Sequence, residues 1–128
     1  MLNSMPFEGV KIADFSWVGV GPITAKYLAD HGATTVRIET TSPMDLLRAI
    51  GPFKDNIQGP DRTHFFGNMN TSKLGVTLDL KSAAGLEVAY RLIAWADLYL
   101  ESFTPGTVDA LGIGYEKART LNPSIIMA

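Results

Sequence analysis

The stretch 12–39 constrains the fold most, because it reads as a strand, a tight turn, a helix and a second strand in close succession. Val10, Ile12 and Phe15 lie in a short extended run that ends at Ser16. Trp17-Val18-Gly19-Val20-Gly21-Pro22 follows, with glycines that tolerate a tight turn and a proline preset for the start of a helix. The helix is expected from about Pro22 to Asp30 and stops at His31-Gly32, glycine being the usual left-handed residue after a helix. Thr35-Val36-Arg37-Ile38-Glu39 reads as the second strand. So short a strand–helix–strand unit predicts a right-handed crossover joining a parallel pair. This is half of a nucleotide-binding type of domain, and a ligand is expected near the strand ends.

Composition narrows the class. The 128 residues suffice for one domain with a real core, and 46% hydrophobic with 19% charged residues is an ordinary globular mixture. Eleven basic and thirteen acidic side chains give a net charge of -2 without a basic stretch, so a nucleic-acid partner has no electrostatic footprint here. The absence of cysteine excludes disulfides, thiolate metal sites and a Cys nucleophile. No apolar run reaches membrane-spanning length, and residues 1–7 do not resemble a secretory signal. The expectation is a soluble, cytoplasmic protein with no membrane partner.

Further along, Thr40-Thr41-Ser42-Pro43 is turn chemistry, with a short helix expected from Pro43 to Ile50, ended by Gly51-Pro52. Residues 53–70 show no period of either kind and read as a binding or lid loop, or as a plain surface excursion. Alternation of Val76, Leu78 and Leu80 with Thr77 and Asp79 predicts a strand over 75–80. Ser82 is placed to cap a helix over 83–95, whose Leu86, Ala89, Tyr90 and Ile93 recur at the helical period. A strand over 97–101, a short helix opened by Pro105, a helix over 115–121 and a buried strand over 124–127 complete the pattern. The expected class is α/β, a Rossmann-like parallel sheet with helices on both faces. The chain ends on a strand, where such sheets hand their ligand-facing residues to the next loop, so it reads as the front part of something larger.

Candidate chemistry is sparse. Gly19 and Gly21 with Glu39 on the second strand give two of the three glycines of a dinucleotide fingerprint; Thr24 stands where the third is required for close helix–strand packing. Turn glycines with no ligand explain the pattern equally well, although the amides of residues 20–23 would welcome a phosphate. His31 and His64 are the only imidazoles, and neither has a triad-like setting; with no Cys, no metal site is expected. Lys73 and Lys81 flank the third strand and, with Arg48, are the cationic candidates for phosphate.

Taken together, the motifs resemble the N-terminal part of class III CoA-transferases, the formyl-CoA transferase and carnitine CoA-transferase group, whose fold is shared by 2-methylacyl-CoA racemases. The likeness is carried by Gly9-Val10-Lys11-Ile12-Ala13-Asp14-Phe15, Gly21-Pro22, Tyr27-Leu28-Ala29-Asp30-His31-Gly32-Ala33 and Val36-Arg37-Ile38-Glu39. It continues through Asp45-Leu46-Leu47-Arg48, Asn70, Lys73, Val76-Thr77-Leu78-Asp79-Leu80-Lys81, Ala96-Asp97, Glu101-Ser102-Phe103-Thr104-Pro105-Gly106, Leu111-Gly112 and Asn122-Pro123. The resemblance implies that residues 1–128 are a CoA-binding N-terminal domain, with Val18 by the adenine, Gly19 among the CoA contacts, Leu78, Asp79 and Lys81 on the nucleotide, and Phe103 on the same wall. Lys73 and Lys81 would meet phosphates, and Arg48 matches the arginine of an Asp-x-x-Arg motif. CoA and acyl-CoA would be substrates, a carboxylic acid the second partner, and no cofactor would be tightly bound.

Departures from the family pattern are Ser102 for Asn, Leu74 after Lys73 for a basic residue, and Thr40 and Ala110 where some members carry CoA-contacting arginines. They imply fewer cationic contacts. The catalytic aspartate of the transferases, which forms a mixed anhydride with the acyl group, is expected beyond Ala128, as is the His and Asp pair of the racemases. No catalytic residue is therefore assigned in this chain. The full-length family members form interlocked homodimers, which implies the same for a longer protein. A racemase fragment and a non-catalytic nucleotide or CoA-binding module stand as alternatives.

Overall fold

Side chains alternate across a strand, so consecutive residues of the first strand belong to different layers. The computed structural model describes residues 4–128. In β1 (Lys11–Asp14), Ile12 packs with Ala25 and Leu28 of helix α1 (Val20–Asp30), whereas Ala13 packs with Ala89 and Ile93 of helix α3 (Ala83–Trp95). The same division holds in β4 (Leu98–Leu100), where Tyr99 joins the α3 side and Leu98 and Leu100 the α1 side. With β2 (Thr34–Glu39), β3 (Leu74–Thr77) and β5 (Ile126–Met127), these strands form a five-stranded sheet in the order β3-β2-β1-β4-β5, parallel throughout. Both faces are covered by helices, as a parallel sheet demands.

Local chemistry explains the best-defined elements. Ser82 Oγ accepts from Gly85 N at 3.0 Å and starts α3, whose Ala89 and Ile93 are fully buried. Burial of a side chain such as Ile93 contributes about 1.5–3 kcal/mol. Helix α5 (Tyr115–Leu121) buries Ala118 against the same layer. Helix α1 begins at Val20, two residues before the expected Pro22; an amide in the first turn has no intrahelical partner, so proline is tolerated there.

Four expectations are corrected. Residues 53–70 are not structureless: a short 3-10 turn at Lys54–Asn56, a Phe53–Thr63 bridge and helix α2 (His64–Met69) occupy them, with Thr63 Oγ1 capping α2 at Phe66 N, 3.0 Å. The helix expected over 43–50 contracts to a 3-10 turn at Leu46–Arg48, because the carboxylate of Asp45 caps it at Leu47 N. The third strand stops at Thr77, although Leu78 and Leu80 remain buried against α3; and in the last strand Ile126 is 64% exposed, so only part of that segment is buried. A short helix α4 (Thr107–Ala110) follows Pro105 as expected. Among the described residues no helix is long and apolar enough to cross a membrane.

Candidate functional site

The sheet order turns at β1, which has β2 on one side and β4 on the other, so the chain segments leaving β1 and β4 diverge and leave a crevice between them. Trp17 follows β1 and Phe103 follows β4; their ring centroids are 5.8 Å apart at 57°. A single hydroxyl joins the two segments. Ser102 Oγ accepts from Trp17 N at 2.8 Å and donates to Trp17 O at 2.9 Å, while the indole Nε1 donates to Ile38 O at 3.4 Å. Ser102 thereby holds the Trp17 backbone, and the Nε1 bond together with the Phe103 ring holds its indole.

These aromatic walls bound a crevice of about 260 Å³, closed on the far side by Thr40, Ser42 and Pro43 after β2 and by Asp79, Leu80 and Lys81 after β3. Thr107 and Leu111 complete it from the α4 segment. An adjoining hollow of about 290 Å³ is lined by Thr40, Thr77, Leu78, Asp79 and Lys81. The turn carrying Lys81 is rigid: Asp79 Oδ1 accepts from Lys81 N at 2.9 Å, and Asp79 O accepts from Ser82 Oγ at 2.8 Å. The Lys81 side chain is exposed at the rim, and among the described residues it is the one cation in the lining.

Of the residues singled out from sequence, Asp79, Lys81 and Phe103 meet in this crevice and Leu78 in the hollow beside it. Thr40 lines both, its Oγ1 donating to Pro43 O at 2.5 Å, and Ser102 holds the wall rather than a ligand. Ala110 lies exposed on α4. Val18 and Gly19 are not among the residues lining the crevice or the hollow beside it, and the Val18 amide donates to Asp45.

Two cations lie elsewhere. Lys73 is not in the crevice. Its side chain is 2% exposed, and Nζ donates to Asp14 Oδ2 at 2.8 Å, Pro22 O at 2.9 Å and Asn70 Oδ1 at 3.0 Å. Burial pushes its ammonium below the ordinary lysine range, with Asp14 pulling the other way. Arg48 grips Glu39 with Nε and Nη2 at 2.7 and 2.9 Å, reaches Asp61 at 2.6 Å and stacks 3.6 Å over the Phe66 ring. The hydrogen bonds that it donates to Glu39 hold its guanidinium above the usual value. Lys73 thus has an acceptor for each of its three N–H bonds, and Arg48 for four of its five.

The glycines divide by purpose. A Cβ on Gly21 would lie 2.2 Å from Ser16 Cβ, so this glycine permits the close approach of α1 to the end of β1, the role that the fingerprint gives its third glycine. A Cβ on Gly19 would meet nothing within 4 Å. Of the histidines, His31 Nδ1 lies 2.7 Å from Tyr27 O, and His64 opens α2 beside an open hollow with Arg62 and Phe53. No group of three or more His, Cys, Asp or Glu side chains among the described residues is placed to hold a metal.

Sequence reasoning missed Trp17 and the buried ion network of Asp14, Arg37, Asp45 and Lys73. Arg37 pairs with Asp45, donates to Ser16 O at 3.0 Å and lies 3.9 Å from Asp14. The available signals were an arginine inside a strand pattern and an aspartate ahead of a short helix.

The family described as CoA-transferase family III matches residues 7–128. Over 126 residues the chain is 32% identical to succinyl-CoA:glutarate CoA-transferase of Homo sapiens, covering 98% of this chain and 28% of that protein. Over 121 residues it is 38% identical to formyl-CoA:oxalate CoA-transferase of Rhodopseudomonas palustris, covering 94% of this chain and 28% of that protein. The chain thus spans less than a third of the length of these curated relatives. Among solved structures, a CAIB/BAIF family protein from Brucella suis superimposes with a TM-score of 0.86 at 28% identity, over 98% of this chain and 33% of that one. A hypothetical protein from Mycobacterium tuberculosis gives 0.82 at 31% identity, over 96% of this chain and 32% of that one. With a match that runs through all but its first six residues, the chain belongs to CoA-transferase family III.

Proposed function

We propose that this chain is the CoA-binding N-terminal domain of an enzyme that moves CoA between carboxylic acids. The observation that supports this most is the crevice at the turning point of the sheet. It offers apolar and aromatic walls at Trp17, Phe103 and Leu80 for a purine, and a rim cation, Lys81, for phosphate oxygens. Val18, Gly19, Leu78 and Asp79 are carried as further nucleotide contacts by the family pattern, and Lys73 and Arg48 act from behind the site by fixing its strands.

CoA transfer requires a carboxylate nucleophile. An aspartate oxygen displaces the CoA thiolate from the acyl carbon and leaves a mixed anhydride; the thiolate then takes the aspartyl carbon and frees the donor acid. In this reading that aspartate follows the present chain, the longer protein is an interlocked cytoplasmic homodimer, and the 128-residue chain binds CoA without transferring it.

Calorimetric titration of the chain with CoA and, separately, with NAD tests the reading. Binding of CoA without NAD is expected, because Thr24 stands where a dinucleotide site needs glycine. Binding of NAD alone, of neither ligand, or acyl transfer by the isolated chain overturns it.

A further inference from the structure

Val18 has a φ of +66°, in the left-handed region that a β-branched residue strongly avoids. Such a conformation persists only where the surroundings impose it. The surroundings here are one buried carboxylate. Asp45 accepts from Val18 N at 3.2 and 3.3 Å through its two oxygens, and its side chain has no exposed surface. Asp45 is itself held by Arg37, and the other guanidinium nitrogen of Arg37 donates to Ser16 O at 3.0 Å. The Arg37–Asp45 pair therefore spans Ser16 and Val18 and brackets Trp17 from behind, while Ser102 holds the Trp17 amide and carbonyl from the crevice side.

We propose that Asp45 is a positioning residue: by holding Val18 in the left-handed conformation it sets the direction in which Trp17 enters the nucleotide crevice. The proposal rests on the reading of that crevice as the CoA site. It differs from a plain structural account, in which Asp45 only neutralises the buried Arg37. In the positioning account the need for Asp45 arises from the Cβ of Val18, so removing that Cβ removes the need, since glycine adopts positive φ freely.

The test uses Trp17 as its own reporter. The chain has two tryptophans, and Trp95→Phe, away from the crevice on α3, leaves Trp17 as the sole emitter. In that background Asp45→Asn is expected to shift Trp17 emission to the red, raise its quenching by acrylamide and weaken CoA binding by about tenfold. Adding Val18→Gly to Asp45→Asn is expected to restore the emission and the low quenching of the parent. A red shift that Val18→Gly does not relieve overturns the proposal, as does an Asp45→Asn variant with unchanged emission. Should the Asn variants fail to fold, amide exchange in the unaltered chain decides: the Val18 amide is expected to exchange far more slowly than that of Val20, whose first-turn amide has no helical partner. Equal exchange overturns the proposal. If the unaltered chain binds no CoA, the functional reading fails, while emission and exchange still judge the role of Asp45.

Discussion

Lys73 Nζ lies 2.8 Å from Asp14 Oδ2, and the two side chains are 2% and 0% exposed. The pair joins the turn before β3 to the end of β1, and Arg37, 3.9 Å from the same carboxylate oxygen, draws β2 into the arrangement. Asp14 also accepts from Ser16 N at 3.0 Å. The end of β1, the interior of β2 and the turn before β3 thus converge on one buried carboxylate.

Removing the shared carboxylate should therefore cost more than removing one cation. Asp14→Asn leaves Lys73 and Arg37 buried against less negative charge and is expected to cost about 3–5 kcal/mol, a large share of the stability of a domain this size. Lys73→Met leaves Asp14 with its Ser16 contacts and Arg37, and is expected to cost less. Urea unfolding of both variants measures the order; the reverse order would disprove a network centred on Asp14.

Lys81 is the contrasting lysine. It is exposed at the rim, so Lys81→Met should leave the unfolding midpoint nearly unchanged and weaken CoA binding by about tenfold, the worth of a charge-assisted contact. The residual affinity should also depend less on salt. Calorimetry at low and high ionic strength reads both effects, and undiminished affinity excludes Lys81 from phosphate contact.

Tyr99 predicts a pH dependence. Its hydroxyl is buried with no hydrogen-bond partner among the described residues, and burial pushes the phenol well above its ordinary 10.0. A folded-state value above the unfolded one means that the unfolded chain sheds this proton first, so the stabilisation is complete below about pH 10 and is lost as pH rises beyond it. Tyr99→Phe removes an unpaired buried hydroxyl and should raise stability by about 1 kcal/mol near neutrality, with a shallower alkaline decline. Denaturant midpoints at about pH 8 and pH 11 for the two proteins supply the comparison. Parallel declines would contradict the assignment to Tyr99.

The two turn glycines should respond differently. Gly21→Ala forces a Cβ to within 2.2 Å of Ser16 Cβ, an overpacking expected to cost about 1–3 kcal/mol or more. Gly19→Ala meets no atom within 4 Å, and Gly19 has a φ of -106°, so a change within about 0.5 kcal/mol is expected. Thermal melts distinguish them.

What could be read from the sequence followed local rules. Helix α3 was legible in full because a capping serine and a four-residue apolar stripe sit within one continuous segment, and α5 because Pro123 closes it. Helix α2 was not, since its six residues bury no side chain completely and so carry no period. Within the site, Lys81 was legible as a cation flanking the third strand, and Asp79 and Phe103 only through the family resemblance, whereas the glycine pattern drew attention past Trp17, the residue that walls the crevice. Lys73 looked like a surface cation because its partner Asp14 is 59 positions away, and no periodicity encodes such a meeting.

The most direct measurement is a titration of the isotope-labelled chain with CoA, followed by amide and indole chemical shifts. The account predicts saturable shifts concentrated at the Trp17 indole, residues 79–81 and Phe103, with little change at Arg62 and His64. Shifts centred on Arg62 and His64, or none at the Trp17 indole at saturation, would contradict it.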